Sequence, residues 1–231
     1  MTTANPPDQL RIVPASEAAS DDLQAVFSTG EGRQCQCQFF KLDNEEWRFS
    51  VGVEERTERL REQTSCGDTE ARSTSGMVAY LEGEAVGWCA VGPRTAYPRL
   101  RRMRVPWAGR DESRTDDGVW AVTCFVVRRG YRGRGIGSAL ARASIDFARD
   151  RGARAVEGYP IVTQPGEEVG SAALYVGSRN LFATAGFREV SRPTSRRAVM
   201  RVELTPTGRT LIAATDSEPK WPLPAAPRTA T

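Results

Sequence analysis

Three stretches of the sequence predict an α/β fold. Residues 119–127 (VWAVTCFVV) are β-branched, aromatic or small and carry no charge, which is typical of a buried strand. Residues 136–152 repeat apolar side chains at roughly helical spacing and end in a glycine that suits a helix C-terminus. Upstream, residues 76–81 and 85–91 alternate on either side of Glu-Gly-Glu, which predicts a β-hairpin.

The remaining elements are predicted by the same rules. In chain order they are a first strand at 10–13, a helix at 15–27 capped by Ser16 or Ser20, a charged helix at 53–63, an arginine-rich extended connection at 94–117, a strand at 155–162, a helix at 172–185, and strands at 187–190 and 198–204. We expect residues 1–204 to form one domain. Residues 205–231 are rich in Pro, Thr and Ala, which predicts a flexible C-terminal tail.

A glycine-arginine turn, RRGYRGRGIG at residues 128–137, joins the central strand to the helix. The N-terminus of a helix has backbone N–H groups without partners and the positive end of a dipole, and both favour a bound anion. Glycine at Gly133, Gly135 and Gly137 lets a phosphate approach the main chain without a Cβ in the way. The turn therefore predicts a pyrophosphate site built from the backbone.

Other phosphate-binding motifs fit this turn poorly. A P-loop needs Gly-Lys-Ser/Thr, and the only lysines, Lys41 and Lys220, are distant in sequence. A dinucleotide fingerprint that starts at Gly133 would need its third glycine at Ser138. A solvated loop without a ligand is the remaining alternative, which the flanking strand and helix disfavour.

Two motifs resemble one family. Residues 132–137 (RGRGIG) are similar to the acyl-CoA signature Q/R-x-x-G-x-G/A of the GNAT superfamily of N-acetyltransferases, with Arg132, Gly135 and Gly137 at the defining positions. Residues 173–190 resemble the next motif of that family, a helix that ends in Gly-Phe and runs into a strand. The resemblance spans about 10–204 and implies a mixed, mostly antiparallel sheet flanked by helices, with central strands splayed around acyl-CoA.

The resemblance also implies an activity and a donor site. The activity is transfer of an acetyl group from acetyl-CoA to a primary amine of a small molecule, by direct attack on the thioester. Backbone groups of Phe125 and Val127 would pair with pantetheine, and the Val127 N–H would stabilise the oxyanion. The implied acetyl-CoA-binding residues are Phe125, Val127, Arg132, Gly133, Arg134, Gly135, Ile136, Gly137 and Ser138.

The catalytic acid departs from the family pattern. Many members have a tyrosine four residues before the glycine of the Gly-Phe pair, where this chain has Phe182. Either Tyr175 or Ser178 substitutes, or the thiolate leaves without an acid, because the pKa of a thiol is only about 8.5. For Tyr175 a role in packing or in the acceptor pocket is the alternative. Phe182 also keeps open a non-catalytic acyl-CoA-binding module.

The sequence offers one candidate base and one cysteine pair. Glu157 is a single carboxylate in the predicted strand next to the central one, so it could accept the amine proton through a water; the alternative is a carboxylate that faces solvent or pairs with an arginine. Cys35 and Cys37 are expected to line the acceptor side. Their expected neighbours there are Phe39, Phe40 and Trp47. A metal site is not expected, because the chain has no histidine and its other cysteines are isolated.

Composition narrows the class of protein. A net charge of +3, with 39% hydrophobic and 26% charged residues, is ordinary for a soluble globular chain and does not favour a nucleic-acid partner. The absence of histidine excludes a histidine base. No apolar run approaches the length of a membrane span, so we expect a cytoplasmic protein without a membrane partner. The sequence leaves a homodimer open.

Overall fold

The computed structural model describes residues 10–28, 30–71, 73–164, 169–170 and 173–205. The strands are β1 (Leu10–Pro14), β2 (Met77–Leu81), β3 (Glu84–Pro93), β4 (Val119–Val127), β5 (Ala155–Gly158), β6 (Arg188–Thr194) and β7 (Arg197–Glu203). The helices are α1 (Ser20–Phe27), α2 (Glu31–Cys35), α3 (Val53–Thr64), α4 (Pro98–Arg102), α5 (Ile136–Arg149) and α6 (Arg179–Thr184). The described part of the chain contains no helix that is both long and apolar enough to cross a membrane.

The seven strands form one sheet in the order β1-β2-β3-β4-β5-β7-β6. Every neighbouring pair is antiparallel except β4 and β5, which are parallel. Side chains alternate between the two faces of the sheet: Met77 and Ala79 pack in the core on the α5 side, while Val78 and Tyr80 pack with α1. The predicted mixed, mostly antiparallel α/β fold is confirmed.

Strand β4 loses its neighbour halfway along its length. It pairs with β5 from Val119 to Val122, where β5 ends at Gly158. Residues 123–127 continue β4 without a β5 partner. On the other edge, the pairing of β4 with β3 shifts by one residue at Thr123, which is a β-bulge. The strand is therefore bent where the sheet opens, and it leaves an edge that another extended group could pair with.

Several predicted boundaries need correction. The predicted strand at 155–162 ends at Gly158, and the predicted helix at 15–27 begins only at Ser20, with Ala19 rather than a serine as its N-cap. The helix predicted at 172–185 is a 3₁₀ turn, Leu174–Val176, followed by the short α6. Gly177 breaks it with φ +77. The connection at 94–117 is not simply extended, since it contains α4. The predicted tail lies, apart from Thr205, outside the described residues.

Candidate active site

A cleft of about 780 Å³ opens beside the unpaired end of β4. It is lined by Val26, Phe27, Gly30, Gly32, Gln34, Cys35, Cys37, Phe39, Trp47, Cys124, Phe125, Val126, Val127, Arg128, Tyr131, Arg132, Gly133, Gly135, Ile136, Gly137, Leu174, Tyr175 and Leu181. The glycine-arginine turn forms one wall. Aromatic and cysteine side chains form the other wall.

The turn wall presents backbone donors. Gly135 is the N-cap of α5 with φ +78, no side chain caps this end, and the first helical bond is from Ala139 N to Gly135 O at 3.0 Å. The N–H groups of the first turn of α5 thus have no partner in the helix. A Cβ at Gly133 or Gly135 would meet no atom within 4 Å. Open space beside free N–H groups suits a phosphate.

Gly137 has a different function from Gly133 and Gly135. A Cβ there would lie 2.8 Å from Cδ1 of Leu181, so this glycine allows α5 to pack closely on α6. The signature therefore combines two requirements, positive φ beside open space at Gly135 and close helix packing at Gly137. A charged substitution at Gly135 tests the cleft with less disturbance of packing.

Most of the predicted donor residues come together in this wall. Phe125, Val127, Arg132, Gly133, Gly135, Ile136 and Gly137 all line the cleft, whereas Arg134 and Ser138 do not. The Arg132 Nε donates to the Val127 carbonyl oxygen at 3.1 Å, which fixes the turn against the end of β4.

Tyr131 is a residue that the sequence interpretation missed. Its ring lies under the guanidinium groups of Arg128 at 5.5 Å and Arg134 at 5.4 Å. The available signal was one aromatic residue inside a turn that consists mainly of glycine and arginine. The described lining contains arginine but neither Asp nor Glu, so the local potential favours an anion.

The opposite wall is aromatic. The Phe39 ring contacts those of Trp47 and Tyr175 at centroid distances of 5.4 and 6.0 Å, and all three line the cleft. Cys35 and Cys37 line it too, whereas Phe40 packs behind Phe39. This wall offers apolar surface to a ligand. Burial raises the pKa of Tyr175 to about 12, so its hydroxyl keeps its proton at neutral pH.

Phe182 is a core residue. It is fully buried, with its ring edge-on to those of Phe125 at 5.7 Å and Phe187 at 5.0 Å. A Cβ at Gly158 would lie 2.2 Å from the Phe182 ring, so the ring fills the space where β5 ends. The Ser178 hydroxyl caps α6 by accepting from Leu181 N at 3.2 Å.

Glu157 lies outside the lining of the cleft and is fully buried. Its carboxylate accepts from Arg94 at 3.3 Å, from Arg110, from Arg201, and from the Tyr159 hydroxyl at 2.8 Å. Burial raises the pKa of Glu157, but the hydrogen bonds and charges of the arginines outweigh burial and lower it. Of the two interpretations of Glu157, the geometry favours ion pairing over the base.

The same arginines share a second carboxylate. Glu112 accepts from Arg94 at 2.7 Å, from Arg110 at 2.6 Å and from Arg201 at 2.9 Å. We call the two carboxylates and the three arginines together the ion network: Glu112, Glu157, Arg94, Arg110 and Arg201.

Comparison with known proteins agrees with this geometry. The profile of the acetyltransferase (GNAT) family matches residues 37–175, more than half of the chain. Similar solved structures include an acetyltransferase at 20% identity and TM-score 0.50, covering 84% of this chain and 100% of that one. Others are an N-acetyltransferase from Staphylococcus aureus Mu50 (13% identity, TM-score 0.48, covering 86% and 100%) and a GCN5-related N-acetyltransferase from Kribbella flavida (20%, 0.45, covering 86% and 100%). No curated protein matches significantly. The matched segment contains the glycine turn, the unpaired end of β4 and most of the cleft, and the chain belongs to the GNAT family of acetyltransferases.

Proposed function

We propose that this protein is an N-acetyltransferase that moves the acetyl group of acetyl-CoA to a primary amine of a small molecule, by direct attack of the amine on the thioester. The observation that carries the proposal is one cleft that joins an uncapped helix N-terminus to an unpaired strand edge. The first suits a pyrophosphate, and the second suits the amides of pantetheine.

On the donor side, backbone groups would make most of the contacts with acetyl-CoA. The N–H groups at the start of α5 would bind the pyrophosphate, with Gly133 and Gly135 leaving space for it. Phe125 and Val127 lie on the stretch of β4 without a β5 partner, so their backbone would pair with pantetheine. The Val127 N–H would then donate to the oxyanion that forms on the thioester carbonyl.

The leaving thiolate needs no acid in this proposal. Tyr175 is a hydroxyl in the cleft, but its pKa of about 12 exceeds the ~8.5 of a thiol by about 3.5 units. Proton transfer from Tyr175 to the thiolate is therefore unfavourable. Thiolate departure followed by protonation from water is the easier route.

The acceptor side favours an amine with an apolar body. Phe39, Trp47 and Tyr175 offer ring surface, and the described lining has no carboxylate that could pair with further cationic groups. Polyamines and other polycations are therefore poorer candidates than amines that carry an aromatic or aliphatic group.

The test uses a matched pair of substitutions at Gly135. Gly135→Asp puts a carboxylate where the pyrophosphate would bind, and Gly135→Asn has nearly the same shape and backbone strain without the charge. We expect calorimetry with acetyl-CoA to show at least about a 100-fold loss for Asp and a much smaller loss for Asn, because a charge repels the phosphate at short range. Undiminished affinity in folded Gly135→Asp would end the proposal.

The second candidate is a non-catalytic acyl-CoA-binding module, which is favoured by Phe182 at the family's tyrosine position. Release of free CoA in the presence of a panel of amines separates the two candidates. Turnover with any amine supports the enzyme. Tight acetyl-CoA binding with no CoA release across the panel supports the module.

A further inference from the structure

Three of the five cysteines line the cleft: Cys35, Cys37 and Cys124. The Trp88 Nε1–H donates to Cys37 Sγ at 3.2 Å, which is the side-chain N–H donor on a thiol of this cleft. Cys37 is also nearly buried, at 6% exposure, so this hydrogen bond is largely protected from water. The Cys37 sulfur therefore lines the cleft and carries a protected hydrogen bond.

A buried cation lies near the same sulfur. Lys41 is one turn further along the chain, and its Nζ donates to the Ser75 hydroxyl at 2.8 Å. Burial lowers the pKa of Lys41 to about 8, while the charge of Cys37 acts in the opposite direction. When the Lys41 amine is protonated, its charge favours the thiolate form of Cys37. We call Cys37, Cys124, Trp88 and Lys41 the thiol cluster.

The three thiols of the cleft differ in acidity. Burial raises the pKa of Cys37, but hydrogen bonds from Cys124 and Trp88 and the charge of Lys41 outweigh it and lower the pKa. Burial raises the pKa of Cys35 to about 11, and the hydrogen bond to Cys37 together with burial raises that of Cys124. Since the thiolate is the nucleophilic form, Cys37 is the reactive thiol of the three.

We propose that Cys37 is a second acyl acceptor, which takes the acetyl group of bound acetyl-CoA when no amine occupies the cleft. This rests on the proposed function for the donor, because the acetyl group must arrive in the same cleft. The Trp88 N–H and the Lys41 charge position and stabilise the thiolate, whereas Cys37 itself makes the bond.

The step balances without an oxidant or reductant. The Cys37 sulfur attacks the thioester carbonyl, a new C–S bond forms, and the bond to the CoA sulfur breaks. The electron pair leaves with CoA as a thiolate, which takes a proton from water. One thioester replaces another, so the equilibrium constant is near one, and excess acetyl-CoA drives the reaction forward. Acetyl-Cys37 then covers part of the aromatic wall.

The experiment incubates the full chain with acetyl-CoA and no amine, and follows the intact mass and the released CoA. We expect one acetyl group per chain, mapped to Cys37 by peptide mass spectrometry and removed by neutral hydroxylamine as a thioester is. Cys37→Ser should lose this label. Cys66→Ser is the matched control, since Cys66 lies outside the cleft, and it should be labelled like the wild type.

Two further variants test the surroundings of the sulfur. Trp88→Phe removes the N–H donor and Lys41→Met removes the cation, and each should slow labelling about tenfold or more, as expected for a lost hydrogen bond to a charged group. Acetyl-CoA affinity shows whether each variant is folded. Labelling rates equal to wild type in both folded variants would contradict the role of the thiol cluster.

The outcomes separate this inference from the proposed function. Acetyl-CoA binding without any label on Cys37 after many hours, or label spread equally over Cys66 and Cys37, overturns the inference alone. Loss of acetyl-CoA binding in the wild type overturns both. A label on Cys37 that disappears in Gly135→Asp supports both, because the acetyl group then comes from the bound donor.

Discussion

Two buried polar clusters lie beside the same strand, and they differ in how fully their groups are satisfied. The ion network lies where β4 still pairs with β5, since Glu157 is opposite Ala121. Four donors surround its carboxylate, and Glu112 balances the same three arginines. The thiol cluster lies where β5 has ended. Its Cys37 sulfur is buried among donors but faces a cleft.

The two clusters suit the two ends of β4 to different tasks. A carboxylate whose oxygens are fully bonded has no lone pair to offer, so the ion network holds β5, β7 and the connection before β4 together. A thiol whose pKa is lowered and that lies beside open space has the properties of a nucleophile. Where the sheet is closed, the buried polar groups bond to one another, and where it opens, a polar group faces the cleft.

The largest loss of stability is expected from breaking the ion network. Glu157→Gln keeps the size of the side chain but removes a charge that pairs with Arg110 and with the buried Arg94 and Arg201. We expect a loss of about 3–5 kcal/mol in the free energy of unfolding, as for other broken buried ion pairs. Cys37→Ser should cost less, about 1–2 kcal/mol, because a hydroxyl can still accept from Trp88 and because Lys41, whose pKa is already lowered, can become neutral. Urea unfolding measures the free energy of unfolding of both variants. Similar losses in the two variants would contradict the difference between the clusters.

Lowering the pH should reduce the stability of the protein less than Glu157→Gln does, because a protonated Glu157 keeps its shape and can still accept hydrogen bonds. Its folded pKa is lowered, so the stabilisation is present above the unfolded pKa of about 4.3 and is lost as the pH falls through the folded pKa. Melting temperatures measured from pH 6 down to pH 3 should therefore fall more steeply for the wild type than for Glu157→Gln. Parallel curves would show that Glu157 does not titrate with unfolding.

These clusters also show what the sequence can and cannot predict. The positive φ and the free N–H groups of the glycine turn were predictable because both are encoded within ten residues. The close packing at Gly137 was missed, because it depends on Leu181, which is distant in sequence. The role of Glu157 was not predictable, because its partners Arg94, Arg110 and Arg201 are 63, 47 and 44 residues away in the chain. A lone carboxylate in an apolar strand is compatible with both a base and an ion pair, and only the tertiary contacts distinguish them.

The acceptor wall of the cleft was predictable only in part. The family resemblance of the loop between the first two helices implied that Cys35, Cys37, Phe39, Phe40 and Trp47 line the acceptor side, and all of them except Phe40 line the cleft. Lys41 and Trp88 were missed, since their contacts with Cys37 depend on how the loop after α2 folds onto β3. The placement of Tyr175 on the Gly-Phe helix was wrong because Gly177 and Ser178 start a new helix there.

The smallest effect on activity is expected at Tyr175. A substitution there tests whether every polar group at the open end of β4 takes part in the reaction. With its pKa near 12 and its ring packed against Phe39 and Phe40, this tyrosine contributes mainly surface. Tyr175→Phe keeps the ring, so kcat should change by less than about twofold at every pH, and acetyl-CoA affinity should stay the same. A general acid would instead show a loss of about 100-fold or more in kcat at unchanged affinity. That result would move Tyr175 into the group of reactive residues and would show that the thiolate leaves with a proton from the protein.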